Sequence, residues 1–224
     1  MNPESNWSDV PRHGSLGSYS HWNLMAYQEK LRDLLWRKSL VRGSFTLASG
    51  RKSNYYLDCK LTTLDPEGAP LTGWAVLELM KEHHLKAQAI GGMTMGADPI
   101  VSAVVTVSRE AGHPIQGFLI RKEAKEHGRR KQIEGIEGKR GTKVIIVDEV
   151  CTTGKSTLDA IKVAEDAGFE VAAVIILVDR EEGGSETLRA KFGSKFLRIC
   201  TVRELFALEE ASQSREAAPV HAHR

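Results

Sequence analysis

Several classes of protein are excluded by what this sequence has little of. Cysteine is scarce: three residues in 224, Cys59, Cys151 and Cys200. They are far apart, odd in number, and form neither a CxxC pair nor a Cys/His metal spacing, so a disulfide scaffold and a zinc module are both excluded. They read as reduced, buried thiols of a cytoplasmic protein. No stretch approaches the ~18 apolar residues of a membrane helix. Charge of one sign is lacking too, since 31 Lys and Arg face 29 Asp and Glu. That balance gives no reason to expect nucleic acid as a partner. Residues 1–20 have no basic start and apolar core of a signal peptide. Their polar, Gly- and Ser-containing composition predicts a disordered tail. Residues 209–224 are read the same way, with His221 and His223 as part of a solvated end rather than metal ligands.

What is present is alternation. The chain is long enough for one domain with its own core, placed at 21–208. Leu24, Tyr27, Leu31, Leu34 and Leu35 recur at helical spacing within Trp22 to Leu40. Phe45 to Leu47 and Tyr55 to Leu57 flank a turn cluster and predict a hairpin. Pro66 to Leu85 reads as a helix. Strands are then expected at Ala87–Ile90, Ile115–Ile120, Lys143–Val147, Val171–Val178 and Phe196–Cys200. Helices fall between them at about 99–109, 155–167 and 185–191. Continuous apolar strands separated by helices predict an α/β fold, a central parallel sheet flanked by helices. Ligands of such sheets bind beyond the carboxyl ends of the strands.

The strongest local signal lies there. Val144-Ile145-Ile146-Val147 leads into Asp148-Glu149-Val150-Cys151-Thr152-Thr153-Gly154-Lys155-Ser156-Thr157. A buried strand delivers two acids to its end, and a loop of hydroxyl residues and glycine then opens a helix. Backbone N–H groups and the helix dipole bind phosphate at such a point. Carboxylates beside a phosphate cradle suit sugar hydroxyls, so a phosphorylated ribose satisfies both halves. The nucleotide P-loop is a rival because Gly-Lys-Ser is present, but it requires glycine where Glu149 stands. The segment resembles the phosphoribosyl pyrophosphate (PRPP) signature of the type I phosphoribosyltransferases. The resemblance implies that Asp148 and Glu149 hold the ribose hydroxyls. It implies too that Val150, Cys151, Thr152, Thr153, Gly154, Lys155 and Ser156, on to Thr157, wrap the 5-phosphate.

Other segments narrow the resemblance. Arg121-Lys122-Glu123-Ala124-Lys125-Glu126-His127-Gly128, followed by Ile133-Glu134-Gly135, is similar to the catalytic loop of orotate phosphoribosyltransferases. A solvated charged loop is the plain alternative for such a run. The resemblance implies a homodimer in which Arg121, Lys122, Lys125 and His127 close over the pyrophosphate of the partner subunit's PRPP. Arg121, Lys125 and His127 would be the catalytic cations. Cations on a closing lid suit a multiply charged leaving group. Phe45 to Asp58 resembles the same family's N-terminal hood, with Tyr55 and Tyr56 covering the pyrimidine. Ala48 stands where many members carry lysine. Gly91-Gly92-Met93-Thr94-Met95-Gly96-Ala97-Asp98-Pro99 is similar to the pyrophosphate loop of an actinobacterial-type subgroup, which lacks the lysine commoner at Met95. Arg180, just past a strand, is implied to contact orotate together with Thr152.

The function so implied is transfer of ribose 5-phosphate from PRPP to N1 of orotate in pyrimidine (UMP) biosynthesis. Mg²⁺ would be held by substrate and water rather than by protein side chains. The alternatives are transfer to another base and a non-catalytic regulator that senses PRPP. Lys125 is the first choice for the essential cation. Steady-state kinetics of Lys125→Ala should show kcat falling by two orders of magnitude or so, with PRPP affinity changing far less.

Overall fold

The computed structural model describes residues 26–46, 50, 52–123 and 132–216. Outside them lie the tail expected at 1–20, Trp22 and Leu24, Leu47 to Ser49, Arg51, Lys125, His127 and everything from 217 onward.

Helix α1 (Ala26–Leu34) passes through a π turn at Leu35–Ser39 into an antiparallel hairpin of β1 (Leu40–Thr46) and β2 (Lys52–Leu57). A short helix, α2 (Lys60–Thr63), and a long one, α3 (Gly68–Glu82), lead into the main sheet. Its strands are β3 (Ala89–Met93), β4 (Gln116–Ile120), β5 (Ile133–Glu134), β6 (Lys143–Cys151), β7 (Glu170–Asp179) and β8 (Phe196–Thr201). They lie in the order β5-β4-β3-β6-β7-β8. All neighbours are parallel except the short β5 against β4.

Period-two alternation divides the core. In β6, Ile145 and Val147 join a cluster with residues of α1, α3 and α4 (Ala97–Glu110), while Val144 and Ile146 join one with α5 (Lys155–Asp166). Both faces are therefore apolar, as a sheet covered on both sides requires. Each fully buried Ile at its centre, such as Ile145 or Ile175, contributes roughly 1.5–3 kcal/mol.

Three features depart from the sequence reading. First, β6 runs on to Cys151 because β7 is long enough to keep pairing with it, through Cys151 opposite Asp179. The two acids thus sit in the strand's last rungs, beyond the Val147 end expected for it. Second, Gly91 and Gly92 belong to buried β3, not to a turn. A Cβ on Gly91 would fall 2.4 Å from the Phe118 carbonyl oxygen, and one on Gly92 2.1 Å from that of Val147. Their lack of a side chain serves strand packing, and the turn shrinks to Thr94–Gly96. Third, beyond α6 (Gly184–Phe192), α7 (Val202–Glu216) extends through residues expected as tail. Its start is a capping box: Glu204 Oε2 accepts the Thr201 N–H at 2.7 Å, and Thr201 Oγ1 accepts the Glu204 N–H at 3.1 Å.

Gly92→Ala should therefore lower unfolding free energy by about 1–3 kcal/mol, read from denaturant titration, because the obstructing atom is backbone and cannot swing aside.

Candidate active site

Strands β3 and β6 are neighbours, but the connection from β3 leads to β4 on one side and that from β6 to β7 on the other. Such a reversal leaves a crevice at the carboxyl ends of the two strands. Two loops border it, Thr94–Gly96 before α4 and Thr152–Gly154 before α5. Each helix therefore presents its first turn to the crevice, where free N–H groups attract anions. Gly154 has φ +74, left-handed, and its amide packs so closely on Gly184 that a Cβ there would lie 2.4 Å from Gly154 N. Gly184 also donates its N–H to the Thr152 oxygen at 3.0 Å, seating the loop on the chain after β7.

The acids of β6 point to opposite faces. Asp148 is buried, accepting the Thr157 hydroxyl at 2.8 Å and the Glu149 N–H at 2.8 Å. Burial raises its pKa to about 6, even though those two donors favour the carboxylate. Glu149 accepts Lys60 Nζ through both oxygens, at 2.7 and 3.0 Å. Burial works against the Lys60 ammonium, but hydrogen bonding and charge from Glu149, with Asp58 behind, outweigh it and raise its pKa. On the other border, the Thr94 hydroxyl donates to Asp98 Oδ2 at 2.7 Å. Asp98 Oδ1 is buried with no hydrogen-bond partner among the described residues.

A second cluster lies after β7. Arg180 donates its backbone N–H to the Cys151 oxygen at 2.9 Å, and its Nε–H to the Tyr55 hydroxyl at 3.0 Å. Its guanidinium lies 4.8 Å from the Tyr55 ring centre and pairs with Glu182 at 2.9 Å. Tyr55 in turn meets Phe206 of α7 edge-on, with centroids 5.2 Å apart. Arg42 of β1 covers Phe206 at 4.2 Å and bonds Glu209 through Nε at 2.9 Å. Strand alternation sends Tyr56 to the opposite face of the hairpin, where it is exposed and packs on Phe45. Only one of the two tyrosines is thus brought to Arg180.

The expected phosphate residues are contiguous around the end of β6, but they differ in what they present. Cys151 is buried with its sulfur against Gly184, and burial pushes its thiol up to about 12; only its backbone is offered. The Lys155 side chain turns along α5 to Asp159, at 2.6 Å. Arg121 and Lys122 are exposed at the end of β4, with Arg121 Nε donating to Glu134 at 3.1 Å. Lys60, Asp98 and Phe206 received no role from sequence. Only Phe206 had a readable signal, through the Thr201-Val202-Arg203-Glu204 capping box that starts its helix.

No protein-family model matches the chain. It is similar to curated orotate phosphoribosyltransferases. One from Rhodopirellula baltica is 43% identical over 180 residues, 79% of this chain and 92% of the other. One from Aquifex aeolicus is 45% identical over 168 residues, 74% and 90% of the two chains. Among solved structures, Mycobacterium tuberculosis orotate phosphoribosyltransferase with Fe(III) dicitrate is 36% identical, with TM-score 0.69, over 80% of this chain and 98% of that one. The same enzyme in complex with PRPP aligns at 32% identity and TM-score 0.65, over 80% and 98% of the two chains.

The Asp148 environment has a measurable consequence. The folded protein binds this proton more tightly than the unfolded chain, so stability falls as pH rises from the ordinary 3.8 to about 6 and is level above. Asp148→Asn removes that slope. Melting curves should show the variant more stable than the parent at about pH 7.5, with the gap closing toward about pH 4. Glu78, which burial raises to about 7, adds its own slope to both proteins and cancels in the difference.

Proposed function

This chain belongs to the orotate phosphoribosyltransferases, and from that premise we propose how its own residues perform the reaction. The enzyme is a pentosyltransferase of pyrimidine biosynthesis that moves ribose 5-phosphate from PRPP to N1 of orotate, releasing pyrophosphate. What supports the residue-level reading is the switch point between β3 and β6, where a phosphate-type loop and two strand-end acids meet, with Arg180 bonded to Cys151 at the end of β6 and to Tyr55 of the hairpin.

In this reading the amides and hydroxyls from Thr152 to Thr157 take the 5-phosphate, aided by the dipole of α5. Asp148 and Glu149 accept hydrogen bonds from the ribose hydroxyls. The first turn of α4 and the Thr94–Gly96 loop face the pyrophosphate. Arg180 presents a planar pair of donors to the orotate carboxylate, with Tyr55 holding it from behind. Thr152 completes the base-facing set, and Tyr56, exposed on the other face of the hairpin, takes no part in it.

Metal binding fits the donors present. Among the described residues no three His, Cys, Asp or Glu side chains gather as a cage, and the groups at the crevice are carboxylates and hydroxyls. That set suits Mg²⁺ carried on phosphate and ribose oxygens and water, with Asp148 and Glu149 behind the ribose hydroxyls. When bound, it would neutralise charge on the departing pyrophosphate.

The C1–O bond breaks with its electron pair leaving on pyrophosphate, the ribose becomes oxocarbenium-like, and orotate N1 bonds to its open face while the N1 proton is released, to pyrophosphate or water. The residues contribute placement and fixed charge. Arg121 and Lys122 start the segment that supplies cations to the leaving group, with Lys125 and His127 as its further members. That segment serves the partner subunit of a homodimer. Exposed Leu61 and Leu64, in and just after α2, support an interface at that helix. Cytoplasmic residence is supported by three cysteines that are all free and buried. Among the described residues no helix is long and apolar enough to cross a membrane.

The test follows orotate absorbance after adding PRPP and Mg²⁺, with uracil and adenine as controls. Orotate alone should be consumed. Consumption of another base instead would reassign the base site, and consumption of none would favour a PRPP-sensing regulator.

A further inference from the structure

Lys60 stands where the hairpin meets the ribose end of the crevice. It opens α2, directly after β2. Besides the bonds to both Glu149 oxygens, its Nζ lies 3.4 Å from Asp58 Oδ1. The ammonium thus hydrogen-bonds both Glu149 oxygens and lies within ion-pair distance of Asp58. Asp58 also accepts the Lys60 backbone N–H at 3.1 Å, which fixes the start of the helix. The Cys59 thiol points to the Glu149 carbonyl oxygen at 3.8 Å. On the other side, a Cβ on Gly96 would sit 3.1 Å from the Glu149 carboxyl carbon. Glu149 is therefore held between Lys60 and the Thr94–Gly96 loop.

The charge around this point is one-sided. Asp58, Asp98, Asp148 and Glu149 lie on elements that meet at this end of the sheet, with Lys60 joining Asp58 to Glu149. Among the described residues, Lys60 is the cation bonded to any of them. A pyrophosphate entering here meets carboxylates first. Met95, in the adjoining loop, is 70% exposed and carries no charge to offset them.

We propose that Lys60 is a positioning residue for PRPP: it fixes the Glu149 carboxylate for the ribose hydroxyls and offsets its repulsion of the pyrophosphate. It thereby ties the hairpin that covers the base to the strand that holds the sugar. This rests on the PRPP reading of the crevice given above.

A double-mutant cycle on the full chain separates this from a purely structural tie. The variants are Lys60→Met, Lys60→Arg, Glu149→Gln and the Lys60→Met/Glu149→Gln pair. The Kd of PRPP with Mg²⁺ is measured by equilibrium titration, and KM and kcat by orotate turnover. Melting curves confirm that each variant is folded at the assay temperature. Lys60→Met should weaken PRPP binding and raise its KM about tenfold, within the range for contacting charged pairs, with kcat and orotate KM nearly unchanged. Lys60→Arg should recover to within about threefold, and in the Glu149→Gln background the lysine change should matter less than about twofold. Multiplying effects in the pair, or an unchanged PRPP Kd in Lys60→Met, would overturn the assignment. A parent protein that neither binds PRPP nor consumes orotate would instead refute the reading beneath it.

Discussion

The hydrogen bond from the Thr157 hydroxyl to Asp148 joins the end of β6 to the first turn of α5 inside the protein. With that bond in place, the residues between the two form a tight turn at the end of the sheet. Gly154 supplies the left-handed backbone, and Gly184 supplies the seat beneath it. The carboxylate itself stays in the interior because two donors satisfy it, which a buried anion requires. A ligand hydroxyl arriving at Asp148 thus meets an acceptor whose direction is already set, and little reorganisation remains to be done on binding.

Electrostatics at the crevice are arranged in two layers. The framework of the sheet end is acidic, with Asp98, Asp148 and Glu149 on adjoining elements. Positive charge comes from outside that framework, from Lys60 below the hairpin, Arg180 past β7, and Arg121 and Lys122 at the end of β4. Carboxylates suit uncharged hydroxyls such as those of a sugar, whereas anionic groups need the cations placed around the framework. A crevice built only of cations would hold pyrophosphate as firmly after reaction as before, and release would suffer.

The alternation of apolar strands and helices made the central sheet legible, because burial on both faces leaves an unmistakable run of Val and Ile. The segment from Val144 to Thr157 was legible for the same reason: its chemistry and its local fold are contiguous. Elements decided by distant contacts were not. The β6 ladder reaches Cys151 only because β7 is there to pair with it. The glycines of β3 looked like a loop, since sequence does not show that the Phe118 and Val147 backbones press against them. Tyr55 and Tyr56 were indistinguishable until the hairpin's register gave them opposite faces. Lys60 gave no sign, because its partner Glu149 lies 89 residues away in the chain.

The Tyr55–Phe206 contact joins the first hairpin of the chain to its last described helix, with Arg42 and Glu209 making a second clasp across the same junction. During synthesis the hairpin emerges early and must wait for α7 before Tyr55 has its backing and Arg180 its final posture. The Arg180–Tyr55 corner is therefore completed last, after β6 and its two acids have been formed. A nascent chain still tethered at its end can close the turn between β6 and α5 before the hairpin has its backing.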